Sequence, residues 1–96
     1  MIKRPTEFCK KMIEKYPDGQ VIVAIEELSE LQKELTKHLR GKGDRCYIAE
    51  EMADVLIVVE QMRELFDITD LELQHIIDFK TNRTEQLLKE EARYND

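Results

Sequence analysis

The sequence predicts an all-α protein: a helical hairpin with flanking helices, assembling a four-helix-bundle core by oligomerisation. Three observations lead there. Apolar residues recur at spacings of three and four, and no stretch alternates as a strand would. Glycine and proline are scarce, three and two in 96 residues, and they fall between the periodic stretches. The run Val55-Leu56-Ile57-Val58-Val59 is apolar around the whole circumference of its helix, and so short a chain has few elements to cover every side of it. The extra side calls for a second copy, so that two hairpins make the core together. Coverage by the first and fourth helices of the same chain is the alternative.

Each element has its own signals. Pro5 opens a first helix over Thr6 to Lys15, because a first turn tolerates proline. Tyr16-Pro17-Asp18-Gly19 reads as a turn. A second helix runs from about Gln20 to Leu39, with Val21, Ala24, Leu28, Leu31 and Leu35 as its apolar stripe. Gly41-Lys42-Gly43 stops it, and Arg40 and Lys42 suit its negative end. Asp44 caps a third helix that reaches Phe66, with Ile48, Met52, Val55, Val59, Met62 and Phe66 as its stripe. Thr69-Asp70-Leu71-Glu72 has the form of a capping box and opens a fourth helix to about Lys89, beyond which the chain frays. With no internal repeat, low-complexity segment or linker, residues 1–96 read as a single domain.

Composition narrows the function. Twenty-one acids against fifteen bases give a formal net charge of -6, the wrong sign for a general nucleic-acid backbone binder. The longest apolar run is that same five-residue one, far from the ~20 residues of a membrane span. The first residues lack the apolar centre of a signal peptide, so a cytoplasmic protein is expected. Cys9 and Cys46 sit in no CxxC or Cys/His pattern and read as free thiols, with no His/Asp setting that would activate them.

The carboxylates carry the chemistry. Glu27, Glu30 and Glu34 form one stripe on the second helix, partly relieved by Lys33, Lys37 and Arg40. On the third helix Glu51 and Asp54 lie three apart, at the edge of its most apolar stretch. Either pair alone is what a solvated helix face also presents. Both together, on consecutive antiparallel helices, make a cluster that repels itself and suits a hard divalent cation. Mg²⁺ takes oxygen ligands and keeps waters and substrate phosphates in its shell.

Glu26-Glu27-Leu28-Ser29-Glu30, then twenty residues, then Glu51-Met52-Ala53-Asp54-Val55-Leu56, resembles the EExxE…ExxD signature of the MazG-like all-α nucleoside triphosphate pyrophosphohydrolases. That superfamily also holds dimeric dUTPases, dCTP pyrophosphatases and phosphoribosyl-ATP pyrophosphohydrolase. The resemblance spans about Val21 to Arg83. It implies a Mg²⁺-dependent cut, with Mn²⁺ as a possible substitute, between the α and β phosphates of a nucleoside triphosphate. The products are a nucleoside monophosphate and pyrophosphate. It implies Glu27, Glu30, Glu51 and Asp54 as metal ligands, and Glu26 as the catalytic outer-shell acid that helps orient the attacking water. The segment Phe79-Lys80-Thr81-Asn82-Arg83-Thr84 resembles the family's Lys-Asn-Arg pattern and implies Lys80 and Arg83 as phosphate contacts; two solvated bases are the alternative. Family members hold the base with aromatic or amide side chains from the first helix or the partner subunit, which makes Phe8, Tyr16, Tyr47 and Phe66 candidates. A short chain without a long insertion points to broad, house-cleaning activity.

Two other readings compete. A di-iron carboxylate bundle would use the ExxH of Glu72 and His75, but Glu72 is better spent as the partner of Thr69 in the capping box. A non-catalytic oligomeric helical module predicts the same hairpin and asks nothing of the acids together.

Overall fold

The computed structural model describes residues 5–94, which form four helices: α1 (Thr6–Lys15), α2 (Pro17–Leu39), α3 (Arg45–Leu65) and α4 (Asp70–Tyr94). No strand occurs among them. No helix among them is long and apolar enough to cross a membrane.

The helix signals act largely where the sequence places them. The Asp44 side chain accepts a hydrogen bond from the Cys46 backbone N–H at 2.7 Å and starts α3. Thr69 Oγ1 accepts from the Glu72 N–H at 3.1 Å and starts α4. At the end of α2, Gly41 takes a left-handed φ of 77°, which glycine adopts without steric cost. Gly43 closes the same corner so tightly that a Cβ there would lie 2.8 Å from the His38 Cα. Two boundaries differ from expectation. The segment read as a turn is mostly helix: only Tyr16 interrupts the chain, and Pro17 occupies the first turn of α2, where its missing N–H has no bond to lose. At the other end α4 continues past Lys89 to Tyr94.

α2 and α3 pack antiparallel along their lengths, and α1 lies across both, mainly against α3. The Cys9 thiol, fully buried, points at the Ile57 carbonyl 3.9 Å away. Thr6 Oγ1 donates to Glu60 at 3.4 Å. Arg63 then ties the end of α3 to the start of α4: it pairs with Glu60 and Glu64, donates to the Ile68 carbonyl at 3.0 Å, and reaches Asp70 at 3.7 Å.

That Arg63–Asp70 contact is one link between α4 and the rest. Along its body α4 packs against none of α1, α2 or α3, and it buries no residue. The radius of gyration, 17.1 Å, accordingly exceeds the about 12.5 Å of a compact chain of this length. α4 therefore does not cover the apolar circumference of α3.

The apolar stripes themselves need correcting. The residues of α2 that turn towards α3 are Gln20, Ala24, Glu27, Leu31 and Glu34, at spacings of four and three. Leu28 and Leu35, expected in the core, are about half exposed at 50% and 47%. On α3 the inward line is Glu51, Val58 and Gln61, whereas Met52, Val59 and Phe66 face out. The reason is geometric. Periodicity finds the most apolar face of each helix, and in this hairpin the most apolar face is the one that the described residues leave bare.

Candidate metal centre

The contact seam between α2 and α3 holds the carboxylates. Glu27 comes from the inward line of α2, one turn after Ala24, which is small enough to let the helices approach. Glu51 and Asp54 come from successive turns of α3, leading into buried Val58. One carboxylate oxygen from each of Glu27, Glu51 and Asp54 lies within 4.8 Å of the others. Glu27 and Glu51 are half-buried and Asp54 is exposed at the mouth.

The electrostatics are those of acids crowded together. Desolvation pushes Glu27 above its ordinary range, and repulsion from Asp54 and Glu51, a hydrogen bond shared with Asp54, and Glu30 push it further. Desolvation also raises Glu51, followed by the charges of Asp54, Glu30, Glu34 and Glu50. Among the described residues no ion pair relieves the three: Lys37 goes to Glu34 at 3.1 Å, and Arg63 is spent on Glu60, Glu64 and Asp70. The Glu51 Oε2 atom is buried with no hydrogen-bond partner. A hard divalent cation fits this donor set on three counts: all-oxygen ligands, uncompensated negative charge, and one orphaned oxygen.

The structure thus brings together three of the four expected ligands. Glu30 is exposed and stands outside the group of three, near enough for its charge to act on Glu27 and Glu51. Glu26 is exposed, about 100° around α2 from Glu27, and also outside that group. Lys80 and Arg83 are exposed on α4 and are not brought to the acids within one chain. Among the base-pocket candidates Phe8 lines a groove that Glu27 and Asp54 also line, whereas Tyr16, Tyr47 and Phe66 are exposed and take no part in it.

Two residues escaped the sequence reading. Gln20 and Gln61, each 4% exposed, share that groove with Glu27 and Asp54. The signal was present. Glu51, Asp54, Val58 and Gln61 continue one line at spacings of three, four and three, and a glutamine on a buried line is out of place unless it has work there. No protein-family model matches this chain, and neither does any curated protein or solved structure.

Proposed function

We propose that the chain is a Mg²⁺-dependent nucleoside triphosphate pyrophosphohydrolase. It cleaves between the α and β phosphates to a nucleoside monophosphate and pyrophosphate, acting in the cytoplasm as a homo-oligomer that cleans the nucleotide pool. One observation carries the reading: Glu27, Glu51 and Asp54 converge from two helices within 4.8 Å, with no base among the described residues to neutralise them. Acids that merely decorate a surface separate to reduce repulsion; these are held together by the helix seam.

In this reading Glu27, Glu51 and Asp54 hold the metal, with Glu30 one turn along α2 as a further ligand. When bound, Mg²⁺ neutralises phosphate oxygens and lowers the pKa of a bound water. The protein's own contribution is placement, which is most of what phosphoryl transfer requires. The seam fixes three carboxylates, and Glu26 accepts a hydrogen bond from the attacking water. Lys80 and Arg83 share one face of α4 at a spacing of three. As α4 stands clear of its own acid cluster, they meet substrate phosphates when a second copy supplies them.

The oligomer has its own support. Ile25, Leu28, Leu35 and Leu39 on α2, and Met52, Val59 and Phe66 on α3, are each more than two-fifths exposed. They follow three-, four- and seven-residue spacings, so each set lines one helix face. On α3 that face lies well around the helix from the α1 contact at Ile57, because two residues subtend about 200°. A contiguous apolar surface of this kind is rare on a monomer.

Pyrophosphate release from purified protein, with Mg²⁺ and with EDTA, across the common nucleoside triphosphates, tests the reaction. The expected outcome is metal-dependent pyrophosphate and monophosphate, with Glu51→Gln reducing the rate at least 100-fold. Orthophosphate as the product would move the cut to the terminal phosphate and sink the reaction. Absence of any product, together with no Mg²⁺-induced rise in melting temperature, would leave a helical interaction module.

A further inference from the structure

Charge lies along this chain in blocks. Residues 33–45, which form the corner between α2 and α3, hold Lys33, Lys37, Arg40, Lys42 and Arg45. The two acids among them are occupied: Glu34 pairs with Lys37 at 3.1 Å, and Asp44 caps α3. Lys33, Arg40, Lys42 and Arg45 are exposed. The left-handed Gly41 and the close approach of Gly43 to His38 fix the corner that displays them. Residues 64–79, at the junction of α3 and α4 and in the first turns of α4, are the reverse: five Asp or Glu and no Lys or Arg.

The body of α4 adds a second signal. Leu73, Ile76, Ile77, Leu87 and Leu88 fall within about 120° of its circumference, an apolar stripe that none of α1, α2 or α3 covers. Lys80 lies in the middle of that stripe. An ammonium on an apolar contact face is costly unless an acid meets it there. The cluster of Glu27, Glu51 and Asp54 has no base of its own among the described residues.

The spacings agree in one arrangement. Lys80 lies ten residues into α4 from Asp70, a rise of about 15 Å. Glu30 lies ten residues back from Arg40, and Asp54 nine residues on from Arg45, rises of about 15 and about 14 Å from the corner. A helix that starts at the basic corner and runs back along the hairpin therefore sets its acidic first turns on the corner bases and Lys80 level with the carboxylates. The chain's own α4 starts at the other end of α3, next to Glu64 and Asp67, where its acidic turns meet like charge.

We infer that the helix at the corner is α4 of a second copy. Two copies run antiparallel, and each lays its α4 along the other's hairpin from the Gly41–Gly43 corner. Asp67 and Glu72 of one copy face Arg40, Lys42 and Arg45 of the other, and Lys80 reaches the other's acid cluster, which is complete only with that residue. The inference rests on the proposed oligomer and adds its direction, its register and the side chain it exchanges. Opposite charges in this order also reject the parallel pairing, which sets corner against corner.

Cys46, exposed at the corner, makes the test direct. In a Cys9→Ala background it is the sole thiol. A short bis-maleimide is applied to that protein with and without Glu72→Cys, an exposed position. Parallel copies bring the two Cys46 residues together. Antiparallel copies hold them apart by about the length of α3, 21 residues or about 30 Å. The same length keeps positions 46 and 72 of one chain from reaching each other. The expected result is no covalent dimer through Cys46 alone. With Glu72→Cys a covalent dimer forms, and peptide mass spectrometry finds Cys46 joined to position 72 of the other copy. Lys42→Glu should weaken association by about 10-fold in sedimentation, and adding Glu72→Lys should recover most of the loss. A product joining Cys46 to Cys46 would show parallel copies and overturn the inference. A dimeric mass with neither product, or a Lys42→Glu loss that Glu72→Lys does not relieve, overturns it too and leaves the oligomer standing. A wild type that sediments as one protomer overturns the oligomer, and this inference with it.

Discussion

The two long sides of the α2–α3 hairpin are built in opposite senses. The side that α1 covers is rich in polar groups: Gln20, Glu27, Glu34, Glu60 and Gln61 all lie wholly or partly buried there or in the seam. The side away from α1 carries Ile25, Leu28, Leu35, Met52, Val59 and Phe66 in the open. Apolar burial is the main favourable term in folding, so an apolar face left in the open forgoes that gain, which the proposed second copy would restore. The covered side, by contrast, holds crowded carboxylates and an unpaired amide, an arrangement that costs stability.

Three measurements break or sharpen that contrast, taken from the largest expected effect downward. Val58 is 3% exposed, on the line between Asp54 and Gln61. Val58→Asp buries a fourth acid beside three that already repel, and should cost at least about 4 kcal/mol in urea-induced unfolding. A loss below about 1 kcal/mol would mean that the seam is wet and loosely packed. Leu35→Asp places the same charge on the bare side. It should reduce the sedimenting mass to that of one protomer while leaving the helical circular dichroism of dilute protein nearly unchanged. An unaltered mass would show that no second copy sits on this face.

The third measurement is pH. Glu27 and Glu51 titrate above their ordinary value near 4.5 in the folded chain. The folded form therefore holds these protons more tightly than the unfolded form, and stability falls as pH rises from that value through the raised ones. In EDTA the melting temperature contributed by this pair should rise as pH is lowered from neutral towards about 5. Glu51→Gln should flatten that slope. Mg²⁺ should reverse it, because metal and proton compete for the same oxygens. An equal slope in the wild type and Glu51→Gln would place the acids in ordinary solvent.

Much of the fold was legible because its signals are local. The caps at Asp44 and Thr69 and the stop at Gly41 depend on residues within a few positions, and each acts where the sequence puts it. The stripes were read one step away from the true seam. Hydropathy ranks faces by apolar content and is silent on which neighbour will cover them, and here the apolar face has no covering neighbour among the described residues. The acid cluster was legible from spacing, since Glu51 and Asp54 must share a face and Glu27 lies on the facing helix. Glu30 fell outside because it is three positions further along α2 and faces outward. Gln61 was missed although spacing puts it on the same line; that its amide oxygen is unpaired emerges only from the structure. Lys80 and Arg83 depend on where α4 goes, a question of tertiary contact that their own spacing does not address.

The two cysteines give the molecule a built-in record of its own opening. Cys46 is exposed at the start of α3 and open to an alkylating reagent. Cys9 is sealed between α1 and α3, and burial together with Glu60 and Glu64 holds its thiol above the ordinary range. Its alkylation should therefore require α1 to lift away. The ratio of the two labelling rates therefore reports how often the wall that carries Phe8 and Met12 detaches. Whatever fills the groove should slow the Cys9 reaction and leave that of Cys46 alone.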